Sequence, residues 1–363
     1  MNKVNVGVIG CGRISGQYLE NLVRRFSFCL DTVACADLMR EAAESQAAEF
    51  GIPRVCTVEE LLADPEIEIV VNLTVPAAHY EVTRAALEAG KHVYTEKPLA
   101  VTREEGQALV ALAQDKGLLL GGAPDTFLGA GLQTCRKLLD DGWVGTPLTA
   151  QASIAMGVFS PRYHTRGIGP MFDMGPYYVT ALVTLLGPVV RATGSARIPF
   201  AQKSNPDPLS PQFGQPFPVE TPTVVSGVLD HENGVISTVT TTCEIFGYMP
   251  RLVIYGTEGV LTCNDPNMFG GPVSVQRRNG EACEIPLTHG YANRNRGLGV
   301  ADMAYALRNG RPVRAGAGLI YHVHDIMHAI HDASARGAHV DIQSRAERPA
   351  PFPPGFRPNI LEG

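Results

Sequence analysis

The stretch that decides the fold reads Val4-Asn5-Val6-Gly7-Val8-Ile9-Gly10-Cys11-Gly12-Arg13-Ile14-Ser15-Gly16. Its first half is a nearly continuous apolar run, which is typical of a strand buried in a parallel sheet. A turn with two glycines follows, and an amphipathic segment begins directly after it. A strand, a glycine turn and a helix in this order leave free backbone amides at the helix start, and these bind the negative charge of a pyrophosphate. We therefore predict that a dinucleotide is bound by Gly10, Cys11, Gly12, Arg13 and Ile14.

An acidic residue, Asp37, closes the next apolar run, 22 positions after Ser15. A carboxylate at this place accepts hydrogen bonds from an adenosine ribose, which adds specificity to an otherwise common glycine pattern. Asp37 also repels a 2′-phosphate, and Leu38 supplies no positive charge to offset that repulsion. We therefore expect NAD as the cofactor, with NADP possible because Arg40 lies three residues further on.

Length, composition and charge exclude several classes of protein. The 363 residues are 45% apolar and 18% charged, with a formal net charge of −6, so the chain is long enough for two domains with substantial cores. Lysine and arginine form no dense run, which disfavours binding to nucleic acids or anionic membranes. We expect neither a membrane span nor a secretory signal, because residue 1 leads directly into the first strand and no apolar run is long enough.

Cysteines and histidines are the residues most suited to bind a transition metal. The eight cysteines are scattered singly and form no Cys-x-x-Cys pair, which indicates reduced thiols in a cytoplasmic protein rather than a disulfide framework or a zinc site. His324, His328 and His331 are spaced for one face of a helix. Such spacing can bind a metal, but the segment is remote from the other motifs, so we expect no metal site.

The pattern of secondary structure changes near residue 125. Up to residue 124, apolar strands alternate with helices, which predicts a doubly wound parallel sheet covered on both faces. Afterwards strands with a period of two dominate, at 148–154, 189–198, 224–230, 235–242, 251–255 and 273–277. With helices at about 171–186, 300–308 and 319–336, they predict an α+β domain with a large, mostly antiparallel sheet. The predicted domains are residues 1–124 and 125–363.

Two proline-rich segments interrupt the second half. Residues 199–222 contain seven prolines and form either a lid or an ordered surface loop. Residues 349–358 cannot join a helix or a central strand. We therefore expect an extended arm there, which lies on its own domain or on a neighbouring subunit.

Residues suited to proton transfer occur at two places. Lys97 stands between Glu96 and Pro98 after a predicted strand, at the sheet edge where ligands bind in doubly wound folds. It is well placed to reach a nicotinamide, although a solvated lysine in a turn has the same pattern. Asp173 and Tyr177 are one helical turn apart, so both point the same way. The alternative is a helix cap and a packing residue.

Further polar side chains are candidates for the same region. His79 begins a predicted helix at that sheet edge. The loop 157–167 carries side chains that donate hydrogen bonds to sugar hydroxyls or a carboxylate, namely Arg162, His164 and Arg166. We predict that this loop borders the substrate pocket; a solvated basic loop is the alternative.

Together these motifs resemble the Gfo/Idh/MocA family, the glucose–fructose oxidoreductase, inositol dehydrogenase and rhizopine-catabolism group. The matching elements run along the chain and are Gly10-x-Gly12, Asp37, Thr74…His79, Ala89-Gly90-Lys91-His92-Val93, Glu96-Lys97-Pro98 and Asp173-x-Gly175-x-Tyr177. Most dehydrogenases of this family have His where this chain has Tyr177, whereas the branch with glucose–fructose oxidoreductase and dihydrodiol dehydrogenase has Tyr. The usual Thr-Pro before the helix is Thr74-Val75 here, with the proline one place later.

The resemblance implies an α/β Rossmann domain followed by an α+β domain with an open, mostly antiparallel sheet. It implies reversible hydride transfer between NAD and a secondary alcohol of a sugar, cyclitol or related polyol. It also adds to the cofactor-binding residues Thr74, His79, Glu96 and Lys97. We assign Tyr177 as the proton acceptor, because a nearby ammonium lowers the pKa of a phenol. Lys97 is then its partner and a ligand of the substrate hydroxyl, and Asp173 is a second ligand. In the alternative mechanism, Lys97 itself is the acid–base group.

Two other functional classes stay open. Some relatives cleave glycosides without net redox change, through a transient oxidation of the sugar, and no residue here excludes that reaction. A non-catalytic sugar or NAD sensor on the same fold is disfavoured by the intact Glu96-Lys97-Pro98, because a pure binding protein does not need the lysine. The family commonly forms dimers or tetramers through the open sheet, so we expect a homodimer or homotetramer.

Overall fold

The computed structural model describes residues 2–156, 161–164, 168–245, 249 and 251–355, with the backbone alone at 162 and 163. The chain divides into two compact units. The first unit consists of the residues up to 130, residues 288–321 and the chain from 349 on, and the second consists of residues 131–287 and 322–348.

The first unit is built on a five-stranded sheet. Its elements in chain order are β1 (Val4–Ile9), α1 (Ser15–Leu19, continued by a π-helical segment, Glu20–Arg25), β2 (Leu30–Ala36), α2 (Arg40–Phe50), α3 (Val58–Ala63), β3 (Ile69–Asn72), α4 (His79–Glu88), β4 (His92–Thr95), α5 (Arg103–Asp115) and β5 (Leu120–Gly122). The strands are ordered β2-β1-β3-β4-β5, and every neighbouring pair is parallel. This confirms the predicted parallel sheet of a doubly wound α/β fold.

Short-range signals in the sequence set several helix ends of this unit. Thr102 and Glu105 form a reciprocal capping box at the start of α5, as the sequence predicts. Gly51 ends α2 in the left-handed region, with φ of 72°, where any residue with a side chain would be strained. The start of α5 and the end of α2 are thereby fixed by residues next to them in the sequence.

The second unit is built on a nine-stranded sheet. The chain enters through α6 (Ala130–Asp140) and continues with β6 (Pro147–Ala155), α7 (Gly169–Asp173), α8 (Gly175–Leu186), β7 (Val189–Arg197), β8 (Gln202–Ser204), β9 (Pro216–Pro218), β10 (Val224–His231), β11 (Ile236–Thr242), β12 (Leu252–Gly256), β13 (Gly259–Thr262), β14 (Ser274–Arg277) and β15 (Ala282–Glu284). It then passes through α9 (Leu298–Asn309), which belongs to the first unit, and α10 (Ala317–Arg336) before β16 (Val340–Asp341). The strand order is β15-β14-β13-β12-β6-β11-β10-β7-β16. Among the described strands of this nine-stranded sheet, only the β6–β11 pair is parallel, which confirms a mostly antiparallel sheet.

Helices cover one face of this sheet. Every residue of α8 is buried. On the same face, α10 approaches closely, because a Cβ added at Gly194 or Gly227 would lie 2.7 or 2.8 Å from Ile330. Along β10 the residues facing the helices are buried, whereas Ser226 and Val228, on the other face, are exposed. The sheet is therefore packed on one face and open on the other within this unit.

The six predicted strands of this half appear as β6, β7, β10, β11, β12 and β14. The short strands β13 and β15 have too few alternating residues to be recognised from sequence. The proline-rich segment 199–222 holds the two-stranded β8–β9 hairpin. Its base is fixed by an ion pair between Lys203 and Glu244, whose Nζ and Oε2 lie 2.8 Å apart and largely buried.

The later chain segments return to the first unit. The amide of Gly122 donates to the carbonyl of Ala315 over 3.0 Å, so residues 288–321 pack at the β5 edge. Residues 349–355 lie on this same unit, where Arg314 stacks over Phe352 at 4.5 Å. Residues 288–321 and the chain from 349 on, which the sequence pattern places in the second predicted domain, belong to the first compact unit.

Two general features complete the fold. Across the described ranges, no helix combines the length and apolar character that a membrane crossing would need. All eight cysteines are free thiols.

Candidate functional site

The glycine turn after β1 is shaped by close contacts. Gly10 has φ of 100°, and a Cβ there would lie 2.6 Å from the carbonyl carbon of Leu73, so only glycine fits. Ser15, at the place of a third glycine, is buried, and its hydroxyl donates to the carbonyl of Gly12 over 2.6 Å. A Cβ at Gly12 would meet no protein atom within 4 Å. The turn is therefore closed on the protein side and open on the side where a pyrophosphate approaches.

Asp37 lies at the carboxyl end of β2, beside this turn. Its Oδ2 accepts from the amide of Cys11 over 2.6 Å, and its Oδ1 accepts from the amide of Met39 over 2.8 Å. A carboxylate has about four acceptor positions, so two remain for ribose hydroxyls. The Cys11 side chain points inward, where a hydrogen bond with the Cys35 thiol and burial raise the pKa of the Cys11 thiol. The Cys11 thiol is therefore not a reactive thiolate, and because the Cys11 amide is engaged by Asp37, the role of Cys11 in cofactor binding stays a prediction.

The other predicted residues of the turn differ in exposure. Arg13 is exposed and Ile14 is half-buried. Arg40, the first residue of α2, is held by Glu44 one helical turn later, with 2.8 Å between Nε and Oε1. The arginine that was expected to offset the charge of Asp37 is thus already engaged by a carboxylate.

His79 and Thr74 stabilise the loops after β3 and β4. The ring of His79 is buried, with Nδ1 2.6 Å from the carbonyl of Pro98 and Nε2 3.0 Å from the carbonyl of Thr74. Burial lowers the pKa of His79, and the two carbonyl oxygens oppose that shift. The Thr74 amide and hydroxyl both donate to the side chain of Asn72. Both ring nitrogens of His79 thus face backbone oxygens, and its role in cofactor binding stays a prediction.

Glu96 connects the catalytic candidate Lys97 to the glycine-turn helix. It is buried, and its Oε1 accepts from the hydroxyl of Tyr18 on α1 over 2.7 Å. Its Oε2 accepts from the amide of Lys97 over 3.0 Å. Lys97 itself is half-buried and follows the carboxyl end of β4, the edge at which ligands bind in this type of sheet. Tyr18 carries no sequence signal for this contact, because Glu96 lies 78 positions away.

A second buried carboxylate in this unit was missed from the sequence. Oδ2 of Asp125 accepts from the amides of Gly297 and Gly299 at the start of α9, over 2.8 and 3.1 Å. Burial is the main cause that raises the pKa of Asp125 to about 6; Arg296 opposes this, and Glu96 adds to it. A lone aspartate after a proline carries no sequence signal for this position, because its partners are some 170 residues away.

Asp173 and Tyr177 lie in the second unit, on either side of a helix break. The sequence predicts one helix over about 171–186, but α7 ends at Asp173 and α8 begins at Gly175. Pro176 explains the break, because it has no amide hydrogen to continue the α7 ladder. Asp173 is half-buried, whereas Tyr177 is almost fully buried. The two residues therefore sit at the junction of two helices rather than on one continuous face.

Phe172, next to Asp173, is packed among the three histidines of α10. Its ring centroid lies 4.7 Å from that of His328, 5.3 Å from that of His331 and 6.4 Å from that of His324. Within the described part of the chain, no group of three or more His, Cys, Asp or Glu side chains is arranged to hold a metal ion. The histidines thus surround an aromatic ring that precedes Asp173.

The predicted substrate loop is described only in part. Residues 157–160 and 165–167, including Arg166, lie outside the described residues, as does the side chain of Arg162. His164 is buried, with its ring centroid 5.1 Å from that of Phe217 in the β8–β9 hairpin and its Nε2 3.7 Å from Sγ of Cys243. Its contact with a substrate stays a prediction.

Family models match most of the chain. Residues 4–122 match the model described as "Oxidoreductase family, NAD-binding Rossmann fold" of the GFO_IDH_MocA family, and residues 132–262 match the GFO/IDH/MocA C-terminal domain. The two matches correspond closely to the parallel and the mixed sheet of the two units.

Curated relatives match over shorter segments. The scyllo-inositol 2-dehydrogenase (NADP(+)) of Bacillus subtilis is 29% identical over 213 residues, which is 56% of this chain and 57% of that protein. The 1,5-anhydro-D-fructose reductase of Ensifer adhaerens is 33% identical over 146 residues, which is 40% of this chain and 43% of that protein. The chain thus spans about half the length of these relatives.

Solved structures match over nearly the whole chain. Levoglucosan dehydrogenase in its apo form superposes with a TM-score of 0.83 at 21% identity, covering 95% of this chain and 100% of that one. An NAD binding oxidoreductase from Klebsiella pneumoniae gives a TM-score of 0.82 at 21% identity, covering 94% and 99%. At these identities the likeness concerns the fold. Given the two family models and this fold, the chain belongs to the Gfo/Idh/MocA family of oxidoreductases, with an NAD-binding Rossmann domain at residues 4–122.

Proposed function

We propose that this chain is an NAD(P)-dependent dehydrogenase or reductase that transfers a hydride between the nicotinamide and a secondary alcohol of a sugar, cyclitol or related polyol. The observation that carries the proposal is the placement of Glu96 and Lys97. They follow β4 at the same carboxyl edge of the sheet that carries the glycine turn and Asp37. The relatives named for inositol, anhydrofructose and levoglucosan chemistry support a polyhydroxylated substrate.

The residues of the first unit fit a dinucleotide. The open side of the glycine turn suits the pyrophosphate, and the two free acceptor positions of Asp37 suit ribose hydroxyls. The bound cofactor supplies the hydride acceptor or donor. The residues of the chain orient the alcohol carbon against the nicotinamide ring and move the hydroxyl proton.

We assign Tyr177 as the acceptor of the substrate hydroxyl proton. Lys97 is its electrostatic partner, and Asp173 binds a neighbouring hydroxyl of the substrate. A buried phenol is a poor base unless a positive charge favours its ionised form, and the ammonium of Lys97 is the group we propose for that purpose. Asp173, half-buried at the end of α7, accepts hydrogen bonds from hydroxyls. In the alternative, Lys97 accepts the proton directly and Tyr177 orients the substrate.

A screen of monosaccharides, inositols and anhydrosugars with NAD and NADP tests the proposal through NADH or NADPH absorbance. Oxidation of at least one polyol, lost in Lys97→Met, is the expected result. If glycosides release their aglycone while no net NADH forms, the redox-neutral glycoside cleavage is correct instead. Tight NAD and sugar binding without turnover of any polyol would point to a sensor. No observation in the described residues favours either of these alternatives.

We further propose that the open face of the nine-stranded sheet packs against a second copy of this chain. Its central residues carry no charge and include Ser226, Val228, Thr240, Gln151 and Tyr255. The hydroxyls of Ser226 and Thr240 already pair over 2.9 Å, so these two groups can be buried without losing a hydrogen bond to each other. Val228→Glu is expected to lower the mass measured by light scattering to that of a monomer, and an unchanged oligomer would contradict the assignment. The cytoplasmic location stays a prediction.

A further inference from the structure

An ion pair stands beside the adenosine end of the cofactor site without a function in the proposed mechanism. Arg40 and Glu44, at positions i and i+4 of α2, are 2.8 Å apart, and their side chains are 64% and 52% exposed. Exposed pairs of this kind contribute little to helix stability, so the pair can be broken without unfolding α2.

Arg40 is the cation nearest in sequence to Asp37. It is the only lysine or arginine between Arg25 and Arg54, and Arg54 is paired with Asp64. Asp37 accepts from the amide of Met39, the residue directly before Arg40. That amide and the Cα of Arg40 are less than about 5 Å apart in any backbone conformation. The guanidinium of an extended Arg40 can therefore reach a group bound at Asp37.

We infer that Glu44 is a specificity-determining residue of the cofactor site: by holding Arg40, it keeps the guanidinium away from the 2′-position of the adenosine ribose and so disfavours NADP. The inference rests on the proposed role of Asp37 at that ribose. A 2′-phosphate carries between one and two negative charges and binds the planar fork of an arginine in two parallel hydrogen bonds. Glu44 competes for the same fork, and its own charge adds to the repulsion from Asp37.

The preference for NAD then depends on two residues, Asp37 and Glu44. Asp37 repels the 2′-phosphate directly, and Glu44 engages Arg40, the compensating charge nearest to Asp37 in sequence. Removing Glu44 alone should therefore improve NADP binding while NAD binding stays unchanged, because the 2′-hydroxyl of NAD offers no charge to the freed arginine. The gain should be modest, since an exposed pair is weak and Asp37 remains.

The test is a fluorescence titration of the purified protein with NADH and NADPH, without any substrate. We expect Glu44→Gln to lower the ratio of the NADPH to the NADH dissociation constant by about fivefold at low salt. Most of the change should disappear at about 1 M salt, where the screening length is near 3 Å. Adding Arg40→Ala to Glu44→Gln should restore the wild-type ratio.

Two control variants separate the inference from a general effect of charge. Glu20→Gln removes the acid of a matched pair, Arg24 and Glu20 on the segment after α1, with 2.9 Å between the atoms and exposures of 61% and 51%. Glu41→Gln removes an acid that is closer in sequence to Asp37 and belongs to the same helix. Neither should change the ratio by as much as twofold.

The possible results distinguish a wrong role for Glu44 from a wrong role for Asp37. If Glu41→Gln equals Glu44→Gln, or if the gain survives Arg40→Ala, the effect is charge alone or comes from Arg13, and the inference is wrong. It is also wrong if Glu44→Gln leaves the ratio unchanged. An Asp37→Asn variant measured alongside identifies the other failure: if it binds both dinucleotides as the wild type does, the proposed role of Asp37 is wrong instead.

Discussion

Removal of one hydroxyl tests whether Tyr18 supports the site. Tyr18 is fully buried, and its hydroxyl donates to the Glu96 carboxylate over 2.7 Å. Tyr18→Phe removes the oxygen and leaves the ring, so no cavity of consequence forms. The carboxylate loses one of its two described donors, the other being the Lys97 amide. A hydrogen bond to a charged group contributes about 1.5–3 kcal/mol, so we expect the first unit to lose about 2 kcal/mol of its free energy of unfolding.

The assay has to report on the first unit. The only tryptophan, Trp143, belongs to the second unit, so hydrogen exchange of peptides from β1, β3 and β4 is the appropriate measurement. Tyr94→Phe is the matched control. Tyr94 is equally buried, but its hydroxyl makes no hydrogen bond to any residue in the described ranges, so its removal should be neutral or slightly stabilising. Equal losses for the two variants would refute the reasoning, because the Glu96 bond would then contribute nothing.

Three further predictions concern catalysis, pH and the glycine turn. Tyr177→Phe should leave NADH binding nearly unchanged and reduce turnover about 10²–10⁴-fold. Lys97→Met should reduce turnover by a similar factor; near-normal turnover in Tyr177→Phe with none in Lys97→Met would identify the lysine as the proton acceptor. The folded-state pKa of Asp125, about 6, is above its ordinary value of 3.8, so the wild type should lose up to about 3 kcal/mol of stability relative to Asp125→Asn as the pH rises from about 4 to 6. If the free energy of unfolding changes with pH in the same way in the wild type and in Asp125→Asn, Asp125 does not titrate between about pH 4 and 6. Gly10→Ala should abolish NADH binding because its Cβ would lie 2.6 Å from the Leu73 backbone; retained affinity would mean that the turn shifts freely.

The elements that the sequence determined are those whose signals are contiguous. The apolar run of β1, the glycines after it and the acid after β2 lie within one strand–helix–strand unit, so their order alone predicts a parallel arrangement and a phosphate-binding turn. Alternation with a period of two likewise identified the main strands of the second sheet, because one face is buried and the other open. The capping box at Thr102 required only two residues three positions apart.

The residues that support the site were decided by the tertiary structure. Tyr18 reaches Glu96 across 78 positions, and His79 reaches the carbonyl of Pro98 across 19. Hydrophobic periodicity indicates that such a side chain is buried but not which polar group it meets, because that depends on how helices pack on the sheet. Asp125 gives the extreme case, with partners in a segment that returns to the first unit from far along the chain.

The helix break at Met174 shows the same division at short range. The sequence contains Pro176, but the apolar period on both sides favours one continuous helix. In the folded chain, the missing amide hydrogen of the proline and the packing of α8 against the sheet separate α7 from it. Sequence periodicity therefore determined which residues are buried. The direction in which Asp173 and Tyr177 point was decided by packing, because only the assembled sheet and helices fix where each short helix begins.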